Sequence, residues 1–302
     1  MIDLSIMVVN WNTKDLLAQC LQSVYDTVSH LDFEVIVIDN ASTDGSQAMI
    51  KAHFPQVRLI ENQGNEGFAR ANNQGIVASQ GRYVLLLNSD TIARPEALEA
   101  MFYFADQHPE VGVVGCKLLN ADGSLQPSWA QFPTLWSELV GRNIRKRRPM
   151  AGGQAYEVDW VGGACLLARR KAIKTVGLLD EDFFMYSEET DWCFRMARSG
   201  WKVCYLPGAE VIHFGGGSSR RASEKMLIQL YRSKLRFFGK HYGSLRKELL
   251  HILLIISSLA KGWGLAAFSL LKKTNSPQKH LYRRHLTLAR ELYQVQRTEW
   301  ER

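Results

Sequence analysis

LSIMVVNWNTKDLLAQCLQSVYDTVSHLDFEVIVIDN, residues 4–40, opens and closes on apolar runs with a helical pattern between them. LSIMVVN (4–10) and FEVIVIDN (33–40) are short and rich in branched residues, and each ends on Asn or Asp; they read as buried strands. Between them, KDLLAQCLQSVYDTV (14–28) places Leu17, Cys20, Leu21, Val24 and Val28 at helical spacing. Strand, helix, strand is the repeating unit of a parallel sheet.

The alternation continues to residue 107. TDGSQAMIKAHF (43–54) begins on a capping signal and runs on as a helix, and VRLIEN (57–62) is a third strand. GFARANNQGIVAS (67–79) is a helix opened by glycine, RYVLLLNSD (82–90) a fourth strand, and PEALEAMFYFADQ (95–107) a helix with proline at its start. This predicts an α/β fold with a mostly parallel, doubly wound sheet, whose ligand crevice lies outside the carboxyl ends of the strands. The second half is less regular. VGVVGCKLL (111–119) is a strand, and RNIRKRRP (142–149) a basic loop. VDWVGGACLLARRKAIKTVG (158–177) is a strand leading into a short helix. KVCYLPGAEVIHFGGGSS (202–219) reads as strand, turn, strand and a glycine-rich loop.

With 46% hydrophobic and 22% charged residues over 302 positions, the chain is globular and large enough for one large or two small cores. Its five cysteines are widely spaced and form no Cys-x-x-Cys, which argues against a disulfide framework and a structural zinc site and for a reducing compartment. No secretory signal is evident at the start. Neither GxGxxG nor GxxxxGK[ST] occurs, so a dinucleotide fingerprint and a P-loop are unsupported.

The strand ends carry Asn10 and Asn12, Asp39 and Asn40, Asn62 and Asn65, and Asn88, Ser89 and Asp90. Singly, such residues cap helices and turns. Four consecutive strands ending this way outline one polar crevice. SEETDWCFR (187–195) places Glu188, Glu189 and Asp191 at a helix start. Acids complement a helix dipole there, but three in four positions repel one another, so at least one is held for another purpose, such as general base. His213 ends the apolar run EVIHF beside a glycine loop and could complete a metal site with Asp90. Oxygen ligands suit magnesium, and an added imidazole favours manganese.

Seven segments, VVNWNTKDLLAQCLQSV, VIDNASTDGS, NEGFARANNQG, LLLNSD, GGACLLARR, FFMYSEETDWCFRMARSGW and VIHFGGGSS, resemble in that order the inverting family-2 glycosyltransferases, nearest the rhamnosyltransferase-like branch. The resemblance covers roughly residues 3–240 and implies a GT-A fold: a nucleotide-binding sheet with a small antiparallel acceptor part. It implies that Asp39, with the backbone around Val9, reads the nucleobase. Asn10, Asn12, Asn40, Asn65, Gly67, Arg70, Asn88 and Ser89 would complete the donor site. Asp90 and His213 would hold Mn or Mg. Glu189 would be the catalytic base with Glu188 its partner, Asp191 and Trp192 would position the base or the acceptor, and Gly163 would lie on the acceptor side. Two departures stand out: Asn88 replaces the first acid of the family's DxD, and Glu189 replaces the more usual Asp. The donor implied is a dTDP-sugar, plausibly dTDP-rhamnose, or a UDP-sugar, and the acceptor a lipid-linked glycan in cell-surface polysaccharide synthesis. The alternatives are a UDP-hexose transferase of the same fold and a non-catalytic sugar-nucleotide binding module.

Residues 220–302 hold 18 Lys and Arg against 5 Asp and Glu, leaving 19 against 25 in the first 219. A basic tail on an acidic body faces something anionic, and with no recognisable nucleic-acid module the expectation is a membrane surface rather than nucleic acid. LLHILLIISSLAKGWGLAAFSLL (249–271) is long enough to span a bilayer, but Lys261 sits within it and both flanks are basic. It therefore reads as an interfacial or re-entrant segment, with a spanning helix or a soluble packing or dimerisation helix as alternatives. A basic amphipathic helix is expected over 280–300. Domains are expected at 1–240 and 241–302, at the cytoplasmic face of the inner or plasma membrane, peripheral or monotopic.

Overall fold

The computed structural model describes residues 1–140, 148–150, 152–215 and 223–271, with residues 287 and 290. The basic run at 142–147, the glycines after Gly215 and nearly all of the helix expected at 280–300 lie outside the described residues.

The chain divides into two compact units, Met1–Phe132 with Asn143–Arg220, and Pro133–Arg142 with Arg221–Arg302. In the first unit, β1 (Leu4–Asn10), α1 (Lys14–Thr27), β2 (Phe33–Asp39), α2 (Ser46–His53), β3 (Arg58–Glu61), α3 (Phe68–Ala78) and β4 (Tyr83–Asn88) follow the expected alternation. Then come β5 (Thr91–Ala93), α4 (Ala97–Gln107) and β6 (Val111–Leu119). Short pieces follow: β7 (Leu125–Gln126), β8 (Trp129–Ala130), β9 (Arg148–Pro149), β10 (Tyr156–Glu157) and β11 (Trp160–Val161), with α5 (Leu135–Val140) of the second unit between β8 and β9. β12 (Cys165–Arg169), α6 (Arg170–Val176), α7 (Glu188–Arg198) and β13 (Lys202–His213) complete the unit.

The sheet runs β3-β2-β1-β4-β12-β6-β13-β10-β9. Its first four strands are parallel, β12 enters antiparallel between β4 and β6, and β13 runs parallel to β6. The chain thus has a mixed α/β fold with a mostly parallel central sheet. Side chains alternate across it as strand geometry requires. Ile6, Val8, Val35 and Val37 face Leu17, Leu21 and Val24 of α1, while Met7, Ile36 and Ile38 face Ala69 and Ile76 of α3. The segment read as strand, turn, strand is one strand. β13 passes through Pro207-Gly208 by slipping register between Leu206 and Glu210, so the proline sits where no ladder bond is needed.

The second unit contains α5, α8 (Ser223–Tyr242) and α9 (Ser244–Leu271), with α8 packed on α9 and α5 against α9. The boundary expected at 240 falls near the end of α8, which belongs to this unit. Leu235, Phe237, Phe238, Leu250 and Leu254 are its buried apolar side chains. Among the described residues no helix is long and apolar enough to cross a membrane.

Candidate active site

The carboxyl ends of β1, β2 and β4 lie side by side because the strands are parallel and in register, Asn10 opposite Asp39 and Val9 opposite Asn88. Asn10 is fully buried: its amide donates to Asp39 Oδ2 (2.8 Å) and Ser42 Oγ (3.0 Å), and its oxygen accepts from Thr13 Oγ1 (2.7 Å). Asp39 also accepts from Ser42 N (2.9 Å) and Gln47 Nε2 (2.8 Å). Asn12, at φ 54°, accepts from Thr43 N (2.8 Å) and donates its own N–H to Ser42 Oγ (2.9 Å). Ser89 joins the same network through Thr13 (2.8 Å). One step along the sheet, Asn40 donates to Asn65 Oδ1 (3.2 Å) and Gly67 O (3.2 Å) and accepts from Asn62 (2.9 Å).

The end of β4 meets the end of β13. Thr91 pairs with His213, and Phe214 N donates to Asp90 O (2.9 Å), so Asp90 and His213 are set side by side by backbone pairing. His213 Nε2 lies 3.2 Å from Asp90 Oδ1 and accepts a long contact (3.4 Å) from the Asn88 amide. The other ring nitrogen donates to Gln126 Oε1 (2.7 Å). Gln126 is oriented in turn, because its amide donates to Asn120 Oδ1 (3.0 Å). Nδ1 thus faces the Gln126 oxygen and Nε2 faces the Asp90 carboxylate. A carboxylate and an imidazole nitrogen set side by side are a donor set that suits a divalent cation such as Mn or Mg. Among the described residues no group of three or more His, Cys, Asp or Glu could hold an ion. Among the described residues this corner of the crevice brings together one carboxylate and one imidazole, Asp90 and His213.

The acid pair sits on the crevice side of the same sheet. Gly162-Gly163 links β11 to β12, and Asn88 N donates to Ala164 O (2.9 Å). A Cβ built on Gly163 would lie 3.7 Å from Glu189 Cβ, which puts Glu189 beside this link. Tyr186 and Ser187 both have positive φ, 70° and 65°, and turn the chain into α7 so that Glu188 and Glu189 form its first turn. Backbone strain of this kind is held where surrounding structure over-determines it. Here Asn73 grips the preceding loop at Leu179 O (2.9 Å) and Glu181 Oε1 (3.0 Å), and Phe68 N donates to Phe184 O (2.8 Å).

The two carboxyls differ. Burial pushes Glu188 well above the ordinary carboxylate range, and the neighbouring Glu189 charge adds to this. Its Oε2 is buried with no hydrogen-bond partner among the described residues. Burial also raises Glu189, and bonds from its own backbone, Glu188 and Thr190 offset only part of that rise. Both carboxyls are raised, Glu188 the more, and the two titrate together as one pair at the start of α7.

Several expected ligand contacts take other roles. Trp192 is not on an acceptor surface: it is fully buried in the core, with its indole N–H donating to Gly177 O (2.9 Å). Its helical position turns it inward with Met196. Asp191, also fully buried, pairs with Arg195 (2.8 Å), whose guanidinium holds Val176 O (2.7 Å) and Leu178 O (2.8 Å); it braces the loop before the acids rather than reaching a substrate. Asn10, Asn40 and Asp39 tie loops together instead of presenting open side chains, because each has its polar atoms engaged within the fold. Arg70 is exposed and pairs with Glu66 (3.1 Å) and, more distantly, Glu181 (3.9 Å). All five cysteines are buried, and burial pushes the Cys20, Cys193 and Cys204 thiols up to about 12, which excludes them as nucleophiles.

Sequence reasoning missed Gln126, Thr13 and Ser42, whose bonds hold His213, Asn10 and Asp39. Trp11, directly after β1, is 37% exposed. Gln126 lies 87 positions from His213 on a two-residue strand, and only the fold joins them.

Residues 5–177 match Glycosyl transferase family 2. The N-acetylglucosaminyl-diphospho-decaprenol L-rhamnosyltransferase of Mycobacterium tuberculosis is 31% identical over 239 residues, covering 71% of this chain and 78% of its own. The rhamnosyltransferase WbbL of Escherichia coli is 24% identical over 247 residues, covering 78% and 92%. Among solved structures, a mannosyltransferase from Pyrobaculum calidifontis in complex with GDP-Man and Mn2+ aligns with TM-score 0.58 at 18% identity, over 97% of this chain and 87% of that one. The last likeness is one of fold.

Proposed function

The chain belongs to glycosyl transferase family 2, and from that premise we propose that it transfers L-rhamnose from a nucleoside diphosphate to a hydroxyl of a lipid-linked glycan, with inversion. It is a glycosyltransferase; the sugar, the donor nucleotide and the acceptor are the proposed part. The observation that carries the reading is the placement of the acid pair: Glu188 and Glu189 open α7, and Glu189 lies beside the Gly163 link that is bonded to the end of β4, next to Asp90 and His213.

In this reading Glu189 accepts the proton of the attacking acceptor hydroxyl, which then displaces the diphosphate in line from the opposite face. Glu188 donates a hydrogen bond to Glu189 and fixes its orientation. Gly163 leaves room beside Glu189 for the acceptor. Asp90 and His213 would hold a divalent ion, Mn or Mg, with Asn88 as a neutral neighbour. That ion supplies screening of the negative charge that develops on the departing diphosphate. The exposed Trp11 offers a flat face for the donor base at the end of β1.

The test is transfer to a lipid-linked N-acetylglucosamine acceptor from dTDP-, UDP- and GDP-sugars. The dTDP-rhamnose reaction should dominate, and a preference for a UDP-hexose would replace the donor assignment. Glu189→Gln should lower turnover about 10²–10⁴-fold, the usual contribution of a general base, with donor affinity nearly unchanged. Normal turnover by that variant would remove Glu189 as base.

A further inference from the structure

Over residues 245–259 the outward face of α9 is apolar. Leu245, Leu249, Ile252, Ile256 and Leu259 recur at spacings of four, three, four and three residues and are 37–75% exposed. The opposite face, with Leu250, His251, Leu254 and Ser258, is buried. A surface helix ordinarily shows the reverse, with polar residues outward. At 1.5 Å per residue the stripe runs about 21 Å, too extended to be scattered surface hydrophobics. α5, packed on α9, adds exposed Trp136 and Leu139.

We propose that this stripe is the docking face for an anionic phospholipid surface, with α9 lying in the plane of the interface. Charge decides between the two occupants an apolar stripe of this spacing could take. A second copy would bring together two tails that each carry 18 Lys and Arg against 5 Asp and Glu. An anionic bilayer complements that excess and covers the apolar face at once. One side of α9 is buried against protein, so the helix lies on the surface rather than crossing it. The inference deepens the lipid-linked acceptor reading by naming the surface on which that acceptor would be met, but its test does not depend on that reading.

The test is flotation of the full chain with vesicles of phosphatidylcholine alone or mixed with phosphatidylglycerol, with no donor or acceptor present. Wild type should float with the anionic vesicles, and less so as salt rises. Ile252→Glu with Ile256→Glu should lower partitioning about tenfold or more, since the stripe loses apolar area and gains like charge with the lipid. Both positions are exposed, and circular dichroism should show an unchanged fold. If that variant floats like wild type, the stripe is not the docking face. If wild type ignores both vesicle types and light scattering shows a dimer that Ile252→Glu with Ile256→Glu splits, the occupant is a second copy and the proposal is overturned. A failed sugar-transfer assay with intact flotation would instead count against the substrate reading alone.

Discussion

Replacing Gly67 by alanine separates two kinds of strain at the join between the donor loop and the loop that carries the acids. Gly67 has φ 81° and ψ −179°, a region reserved for glycine, where a side chain costs about 1–3 kcal/mol. The new Cβ would also stand 2.4 Å from the Phe184 carbonyl oxygen and 2.7 Å from its ring. That carbonyl cannot retreat freely, because it accepts the Phe68 N–H at 2.8 Å; losing this bond adds about 0.5–1.5 kcal/mol. The expected loss is about 1.5–4.5 kcal/mol in urea unfolding, the sum of both costs. Gly123 serves as a control for dihedral strain alone: it has φ 81° and no atom within 4 Å of the built Cβ, so Gly123→Ala should cost about 1 kcal/mol. Gly64 has neither feature, and Gly64→Ala should stay within about 0.5 kcal/mol of wild type. Catalysis should suffer beyond stability, since Phe184 lies four residues before Glu188, and a misplacement of about 1 Å can cost 10²-fold in rate. Gly67→Ala no less stable than Gly123→Ala would refute the steric argument.

Glu188 and Gln126 give two further expectations. Native Glu188 keeps its proton above the ordinary 4.5, so between that value and its raised folded pKa folding takes up a proton and stability falls as pH rises. Glu188→Gln removes this titration. Its stability relative to wild type should therefore improve from about pH 4.5 upward, and equal differences at about pH 4 and pH 8 in denaturant titrations would contradict the burial argument. Gln126→Ala takes away the acceptor that fixes the Nδ1 proton of His213. It should weaken Mn2+ binding about 10–100-fold, read by electron paramagnetic resonance with nucleotide present. Wild-type affinity would show that the glutamine does not orient the ring.

The parallel half was legible because its signals are local. Each strand of 4–90 is a short apolar run closed by Asn or Asp, and each helix has its own 3.6-residue stripe. The cluster of Glu188, Glu189 and Asp191 stood out for a related reason, since three carboxyls in four positions need an explanation wherever they fall. What failed were inferences from a residue to the direction it faces. Trp192 and Asp191 lie within four residues of the acids, but α7 rotates them about 100° per residue, into the core and toward Arg195. Asn10 and Asp39 sit at strand ends as expected, yet they spend their hydrogen bonds on Ser42, Thr13 and Gln47, partners a one-dimensional pattern does not reveal. Pro207-Gly208 looked like a turn because a register slip inside a long strand uses the same residues as a turn does. The pair of Asp90 and His213 was expected, whereas its orienting glutamine was not, since a lone Gln on a two-residue strand carries no periodic signal.

β12 has a consequence for how the chain can be made. It sits antiparallel between β4 and β6, and β6 has β13 on its other side. Until residues 165–169 have left the ribosome, β4 and β6 each present an unpaired edge, and β6 keeps one until β13 follows. Open apolar edges are templates for wrong pairing. The four parallel strands, although contiguous in sequence and alternating cleanly, are therefore not a natural cut point. A fragment ending near residue 130 would expose β4, whereas one that runs past His213 closes both edges. Attempts to split this enzyme into donor and acceptor halves for separate expression should meet aggregation at that seam.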